Sequence, residues 1–217
     1  MKPLITLLAL LLMSGSVHAE KTLFYKVYQE KAEVPPTEMS IHIGDLASDR
    51  ILAQWEGKAN GDKVEHVLSS DYAVRSWNVF DPKRETEYMG ERKGDHLLIK
   101  GRNRGKGIDK RMKIDGHPFF FHPALGLSEF ARSGQNTLEF WTLRPDNLSK
   151  YKMKAENQGA ETILVNGEQI ETIRVKWGLT GVLSRFFNQT FWFRKSDGVF
   201  VKSKTSRGKF TELVDER

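Results

Sequence analysis

Apolar and polar residues alternate most regularly between residues 161 and 204. In the stretch TIRVKW, which ends at Trp177, every second residue is apolar. A period of two puts the apolar side chains on one face of a β-strand and the polar side chains on the other. The dipeptides Asn166-Gly167 and Asp197-Gly198 are typical of tight hairpin turns, because Asn, Asp and Gly adopt positive φ more readily than other residues. This segment therefore predicts two antiparallel hairpins.

Shorter alternating stretches, separated by breaks rich in Gly, Pro, Asn and Asp, recur along the rest of the chain. They predict strands at residues 23–27, 39–43, 50–55, 72–80, 86–92, 96–100, 109–114, 137–143, 151–154 and 210–214. Residues 64–68 are ambiguous, and the first half of the stretch from 100 to 113 is predicted to be a loop or the end of a long hairpin. The number of strands and their regular separation indicate an all-β sheet.

One segment has a different period. Leu127, Phe130 and Ala131 are spaced as on one face of a helix, Pro123 suits its first turn, and Gly134 suits its end. We therefore predict a short helix over residues 124–132 that packs on one face of the sheet. The resulting fold is mainly β, with a single antiparallel sheet and one or two short helices, in one domain over residues 20–217.

Residues 1–19 show the pattern of a cleaved signal peptide and are excluded from this domain. Lys2 precedes an apolar run that ends at Met13, and small residues lead to a predicted cut after Ala19. The run is too short to cross a bilayer as a helix. A bacterial lipoprotein needs a cysteine after the cut, and the sequence contains none. We expect a periplasmic protein that does not span the membrane and is not a lipoprotein.

The net charge of +6 is concentrated in one stretch. Residues 100–113 contain Lys100, Arg102, Arg104, Lys106, Lys110, Arg111 and Lys113, with Asp109 as their single acidic residue. In a cytosolic protein such a run would suggest nucleic acid. For an exported protein we expect an anionic envelope component or an acidic protein partner instead, bound by Lys100, Arg102, Arg104, Lys106 and Lys110.

Aromatic residues form the second candidate site. The five that we single out are Trp141, Trp177, Phe191, Trp192 and Phe193. Phe191 and Phe193 are expected to face one side of a strand and Trp192 the other, and a strand that is apolar on both faces needs a helix, a second sheet or an apolar ligand over each. Two interpretations stay open: the five side chains pack in an ordinary core, or they line a groove for a lipid or an acyl-bearing ligand.

Catalytic and metal-binding patterns are weak. His117 and His122 form the closest histidine pair, but a zinc site needs three or four converging ligands. Ser128 lies in GLSEF, where Phe130 replaces the second glycine of a nucleophile elbow. Carboxylates occur on several predicted strands, and a glycosidase would need two of them to face each other across a cleft. We therefore expect no catalytic residues, no metal and no cofactor.

Four stretches together carry a family resemblance: DYAVRSWNVFDPKRETEYMGERKGDHLLIKG, LGLSEF, EFWTLRPDN and VKWGLTGVLSRFFNQTFWFRKSDGVFVKSK. They resemble a family of uncharacterised exported bacterial proteins, a domain of unknown function. That family is similar, more distantly, to the half-barrels of periplasmic lipoprotein carriers of the Lol type. The resemblance covers roughly residues 22–206. It implies one strongly curved sheet, an open half-barrel, partly wrapped round a helix, with an apolar concave face and no catalytic residues to transfer.

Two functions follow as expectations. The first is an exported carrier whose apolar groove holds a lipid or an acyl-bearing ligand. The second is a non-enzymatic interaction or scaffold protein of the envelope whose core is filled by its own side chains.

Overall fold

The structure is a computed structural model that describes residues 20–29, 33–47, 50–58, 61–181, 187–206 and 208–217. The predicted signal peptide lies outside the described residues. The strands are β1 Lys21–Tyr28, β2 Thr37–Ala47, β3 Arg50–Gly57, β4 Asp62–Ser69, β5 Val74–Asp81, β6 Thr86–Lys93, β7 His96–Asn103, β8 Lys106–Lys113, β9 Thr137–Arg144, β10 Ser149–Val165, β11 Glu168–Leu179, β12 Asn188–Arg194, β13 Phe200–Thr205 and β14 Phe210–Glu216. The helix α1 covers Pro123–Arg132, and a 3₁₀ turn covers Pro82–Arg84.

The strands of the described residues form one antiparallel sheet, in the order β8-β7-β6-β5-β4-β3-β2-β1-β14-β13-β12-β11-β10-β9. Each strand pairs with its neighbour in the chain, apart from β8 and β9, and β1 pairs with β14 in the middle of the sheet. The first and last strands of the domain therefore lie side by side. The connection from β8 to β9 joins the two outer edges of the sheet and contains α1.

Most of the predicted strands are present, and the ambiguous residues 64–68 belong to β4. The first half of residues 100–113 was predicted to be a loop or the end of a long hairpin, and the structure shows the hairpin end. Strand β7 continues to Asn103, and only Arg104 and Gly105 form the turn to β8, with φ of 53° and 75°. Two positive φ values in succession fit a tight turn whose twist matches that of the flanking strands, so the basic stretch is a hairpin.

The two dipeptide turns differ from each other. Asn166 and Gly167 both have positive φ, 48° and 85°, as predicted. Asp197 does not, and the connection from β12 to β13 takes the five residues 195–199. Its conformation is held by the Asp197 carboxylate, which accepts hydrogen bonds from the side chain of Arg194 and the N–H of Val199. The tight two-residue turn predicted there is wrong for that reason.

Residues 117–132, which we call the plug, cover the inner face of the sheet. Phe119, Phe120 and Phe121 are all buried. Phe119 contacts Trp77 of β5, with ring centroids 5.0 Å apart, and Phe120 contacts Phe140 of β9 at 5.2 Å. Because β5 and β9 are far apart in the sheet order and yet touch adjacent residues of one segment, the sheet curves round the plug. The expected mainly β half-barrel with a short helix is confirmed.

The helix is fixed to the sheet by close packing. Gly126 faces the ring of Phe120 so closely that a Cβ atom would lie 2.2 Å from it. Two residues further on, the buried hydroxyl of Ser128 donates a hydrogen bond of 2.7 Å to the carbonyl of Gly198 in the β12–β13 connection. Pro123 occupies the first helical position, and Gly134, with φ of 71°, follows the C-cap. The predicted start and end of the helix are confirmed.

Asp115, just after β8, joins the two ends of the sheet. Its carboxylate accepts hydrogen bonds from Trp141 Nε1 at 2.7 Å, from the N–H of His117 at 3.1 Å and from Lys152 Nζ at 3.0 Å. These donors hold the pKa of Asp115 well below its usual range, with the Trp141 hydrogen bond as the largest contribution. Trp141 and Lys152 lie on β9 and β10, so this cluster brings the β8 end of the curved sheet next to the β9 end.

Candidate binding surfaces

Three of the five predicted aromatic residues lie together on the inner face. Trp177, Phe191 and Phe193 are 7 %, 4 % and 0 % exposed. Their rings form a continuous row, with centroids 5.5 Å apart between Trp177 and Phe191 and 6.0 Å apart between Phe191 and Phe193. The row packs in the core together with the neighbouring Phe140 and Phe200. In this structure these three side chains contact other side chains of the chain.

The other two, Trp141 and Trp192, lie on the outer face. The indole N–H of Trp141 donates to Asp115, and Lys150 Nζ lies 5.0 Å from its ring centroid. Trp192 lies opposite Arg174 in the pairing of β12 with β11 and donates to a carboxylate oxygen of Glu161. The expected opposite orientation of Trp192 and Phe193 is confirmed. The five residues do not share one surface.

The inner face keeps several buried polar atoms without hydrogen-bond partners. Within the described ranges these are both ring nitrogens of His66, Nε1 of Trp77, the hydroxyl of Tyr88 and Nε1 of Trp177. Each of these residues is at most 7 % exposed. A buried polar group without a partner costs about 1–3 kcal/mol, so this face stabilises the plug mainly through apolar packing.

Two histidines meet where the plug crosses β4. The rings of His66 and His122 lie 5.2 Å apart, edge to face, and Phe121 lies against both. Burial lowers the pKa of His66 well below its ordinary value, and it lowers the pKa of His122 to about 4. Both rings are therefore neutral at pH 7. His117 lies elsewhere, bound to Asp115, so His117 and His122, which are close in sequence, do not share a site.

The residues predicted to bind an anionic partner lie on the hairpin β7–β8. Lys100, Arg102, Arg104, Lys106 and Lys110 are all exposed. Lys100 lies 3.5 Å from the carboxylate of Asp109. Among the described residues, the other four have no carboxylate oxygen within 4.0 Å. All five cations lie on one projecting hairpin, but on its two faces. Lys100 and Arg102 lie on the outer face, whereas Lys110 pairs with the buried Ile99 and lies on the opposite face together with Lys106.

An open depression of about 880 Å³ adjoins this hairpin on the outer face. Its lining includes Phe80 and Met89, which are 46 % and 62 % exposed, and charged residues of both signs: Lys63, Lys100, Arg102, Glu65 and Glu87. Sequence reasoning did not single out Phe80 or Met89. The signal was present, because both are apolar residues at positions of β5 and β6 where alternation would place polar ones. None of the five predicted aromatic residues lines this depression.

The geometry gives little support to a catalytic serine or a metal site. The hydroxyl of Ser128 is occupied by the carbonyl of Gly198, on a helix that is packed against the sheet. Within the part of the chain that the structure describes, no group of three histidine or acidic side chains is placed to hold a metal ion. No helix among those residues is both long enough and apolar enough to cross a membrane.

Comparison with known proteins defines the class of fold. No protein-family model and no curated protein sequence matches the chain. Its fold is similar to that of a β-barrel-like protein of the domain of unknown function DUF1849 from Brucella abortus, with a TM-score of 0.62 and 8 % identity over 91 % of this chain and 96 % of the other. At that identity the likeness concerns the fold alone. The predicted resemblance to an uncharacterised domain is confirmed at that level.

Two weaker likenesses are to envelope proteins. One is the hypothetical lipoprotein YmcC from Escherichia coli, with a TM-score of 0.40 and 11 % identity over 91 % of this chain and 85 % of that one. The other is a putative outer membrane lipoprotein-sorting protein domain from Vibrio parahaemolyticus, with a TM-score of 0.27 and 10 % identity over 91 % and 84 %. The likeness of fold therefore rests on the β-barrel-like DUF1849 protein.

Proposed function

We propose that this protein is an exported, non-catalytic binding protein of the cell envelope that docks an anionic partner on the hairpin β7–β8. The observation that carries the proposal is the set of exposed cations on this hairpin, of which, among the described residues, only Lys100 lies within 4.0 Å of a carboxylate oxygen. Export is supported by the signal-peptide pattern of residues 1–19, and a periplasmic location by the absence of a cysteine for lipid attachment. The absence of catalysis is supported by Ser128, whose hydroxyl is bound within the fold.

Such a hairpin is suited to attract an anionic partner electrostatically. The seven cations of residues 100–113 share the hairpin with one acidic residue, Asp109, and the neighbouring strand β6 places Glu87 opposite Arg102. They project from the outermost strands of the sheet, so an anionic surface can approach without a steric obstacle from the core. Each Lys or Arg near an anionic surface contributes about 1 kcal/mol, and salt screens the attraction within about 8 Å at physiological ionic strength. Phe80 and Met89 add exposed apolar area beside the charges.

Neutralising three of the hairpin cations tests the proposal. The variant Arg102→Gln, Lys106→Gln, Lys110→Gln is expected to bind vesicles of mixed phosphatidylglycerol and phosphatidylcholine, or polyglutamate, about 100-fold more weakly than the wild type. Three cations at about 1 kcal/mol each correspond to that factor. The measurement is a binding titration at low and at physiological salt, and wild-type affinity should fall as salt rises.

The control carries the same change of charge elsewhere. Lys176 on β11, Lys204 on β13 and Lys209 between β13 and β14 are exposed residues in the other half of the sheet. Their replacement by Gln should change affinity by less than about threefold. An equal loss in both variants would mean that only net charge matters. That result, or no wild-type binding to any anionic probe, overturns the assignment to the hairpin.

A second candidate is the carrier function, in which an acyl-bearing ligand displaces the plug from the inner face. The observation that favours it is the set of unpaired polar atoms there, because the indole N–H groups of Trp77 and Trp177 would find acceptors in the carbonyl groups of such a ligand. Trp177, Phe191 and Phe193 would then cover its apolar chain.

Native mass spectrometry distinguishes the carrier from a filled protein. Protein purified from periplasm without detergent is expected to carry a stoichiometric apolar molecule if it is a carrier, and solvent extraction would recover it. Protein unfolded and refolded in the absence of lipid serves as the empty reference. A single apo mass before and after incubation with acyl probes would eliminate the carrier and leave the docking function.

A further inference from the structure

We propose that the partner of the hairpin is an acidic, extended polypeptide segment that adds to the free edge of β8 as a further strand. This inference rests on the proposed docking function and specifies its partner and its mode of binding. It begins from the two edges of the sheet, which differ in how their backbone groups are used.

The edge at β9 is partly covered by the plug. The N–H of Trp141 donates to the carbonyl of Pro118 at 2.8 Å, and the N–H of Phe120 donates to the carbonyl of Trp141 at 2.9 Å. At this point the plug acts as a short additional strand. The edge at β8 has no comparable cover along most of its length among the described residues.

The pairing of β8 with β7 shows which backbone groups are free. Ile114 donates its N–H to the carbonyl of Asp95 at 2.7 Å, and β7 and β8 pair from there without an irregularity. In an antiparallel pair every second residue bonds to the partner strand and those between point away from it. The N–H and C=O groups of Gly107, Asp109 and Arg111 therefore point out from the edge. The carbonyl of Lys113 follows the same rule and is bound by Lys150 Nζ.

Such a row of free groups fits a peptide better than a lipid. A strand laid beside β8 matches donors and acceptors in alternation, as in strand addition to a sheet edge. On the inner side of β8, Ile108 and Met112 are only half-buried against the core, so apolar side chains of an added strand would complete their burial. A lipid head group offers charge but no such alternating row.

Charge decides against a second copy of this chain. Two β8 edges placed side by side would bring together the cations Lys106, Lys110, Arg111 and Lys113 of both copies, and like charges opposite one another destabilise strand pairing. An acidic segment removes that repulsion and replaces it by attraction. The partner that fits is therefore extended, acidic and apolar at alternate positions.

Proline at one outward-facing position separates strand addition from attraction by charge alone. Gly107→Pro removes an outward N–H without changing the charge, and proline is tolerated on edge strands. Gly107→Ala is the matched control, because it keeps the N–H and its Cβ would have no atom within 4 Å. For a short peptide in which Glu and Val alternate, we expect at least tenfold weaker binding by Gly107→Pro than by Gly107→Ala. Vesicles containing phosphatidylglycerol should bind both variants equally.

Amide hydrogen exchange provides an independent readout on the full chain. The N–H groups of Gly107, Asp109 and Arg111 should exchange fast in the free protein and at least tenfold more slowly with the Glu-Val peptide bound. Those of Ile108, Lys110 and Met112, which β7 already protects, should change little. Peptide binding without this alternating protection, or with equal affinity for the two Gly107 variants, overturns strand addition and leaves docking by charge.

The outcomes also separate this inference from the proposed function. If vesicles bind and the peptide does not, the anionic partner is a membrane surface and strand addition is wrong. If the variant Arg102→Gln, Lys106→Gln, Lys110→Gln binds the peptide as well as the wild type, the hairpin charges are not the docking determinant and the proposed function itself fails.

Discussion

Replacing Phe119 by Ala is expected to lower the free energy of unfolding by about 3–5 kcal/mol. Phe119 is 0 % exposed and its ring packs on Trp77. Its backbone carbonyl accepts a hydrogen bond from Val74 at the start of β5, and it forms a bridge to Trp141 of β9. The lost ring would leave a cavity at the point where both halves of the curved sheet meet the plug. Urea unfolding followed by tryptophan fluorescence measures the loss.

Phe80→Ala is the matched control. Phe80 carries the same side chain on β5 but is 46 % exposed on the outer face, so its truncation should cost less than about 1 kcal/mol. A similarly small loss for Phe119→Ala would contradict the structural role of the plug. It would also favour the carrier candidate, because a plug that contributes little to stability is easily displaced.

Acidification from about pH 7.5 to about pH 5 is expected to destabilise the protein through His66 and His122. Burial lowers the pKa values of both histidines in the folded state. Their contribution to the free energy of unfolding is therefore fully present above the unfolded pKa of about 6.5, and it is lost as the pH falls from there towards the folded pKa. With a folded pKa of about 4, His122 alone should lower the free energy of unfolding by at most about 2 kcal/mol at pH 5, and by less because the residue is partly exposed. His66 acts in the same direction.

The double variant His66→Phe, His122→Phe should remove most of this dependence. Urea unfolding at a series of pH values provides the measurement. The acidic groups with lowered pKa, such as Asp197 at about 2, lose their contribution at lower pH than the histidines do. A wild-type stability that is flat between pH 7.5 and 5, or a slope unchanged in the double variant, would refute the role of the buried pair.

The predictions that held depend on local signals. Asn166-Gly167 formed its turn because positive φ is a property of the two residues themselves, and Pro123 began the helix because its ring suits the first helical turn. Asp197-Gly198 did not form the predicted turn, because Arg194 binds the Asp197 carboxylate and a longer connection results. Of the two alternatives for the start of the basic stretch, a loop or the end of a long hairpin, the hairpin end formed, since the pairing of β7 with β6 extends through Arg102, which lies opposite Glu87.

Of the candidate sites, the one that depends on residues close together in the chain was predicted, and those that depend on the arrangement of strands were not. The cluster of cations at residues 100–113 was visible in composition and stays together, since two adjacent strands joined by a two-residue turn keep it in one place. The aromatic set was not one site, because alternation along β9 and β12 puts Trp141 and Trp192 on the outer face and Phe140 and Phe193 on the inner one. The exposed Phe80 and Met89 were missed, because neighbouring strands had to be aligned before both could be seen on one face.

The sequence by itself determined a mainly β chain, the positions of most strands and of the helix, and the basic hairpin. All of these depend on residues close together in the chain, whose periodicity and backbone preferences act before any tertiary contact forms. Only the tertiary structure decided that β1 pairs with β14, that Phe119, Phe120 and Phe121 fill the inner face, and that β8 presents a free edge. These features involve residues far apart in sequence. The pattern of apolar and polar residues within one segment does not show which distant segment it pairs with or packs against.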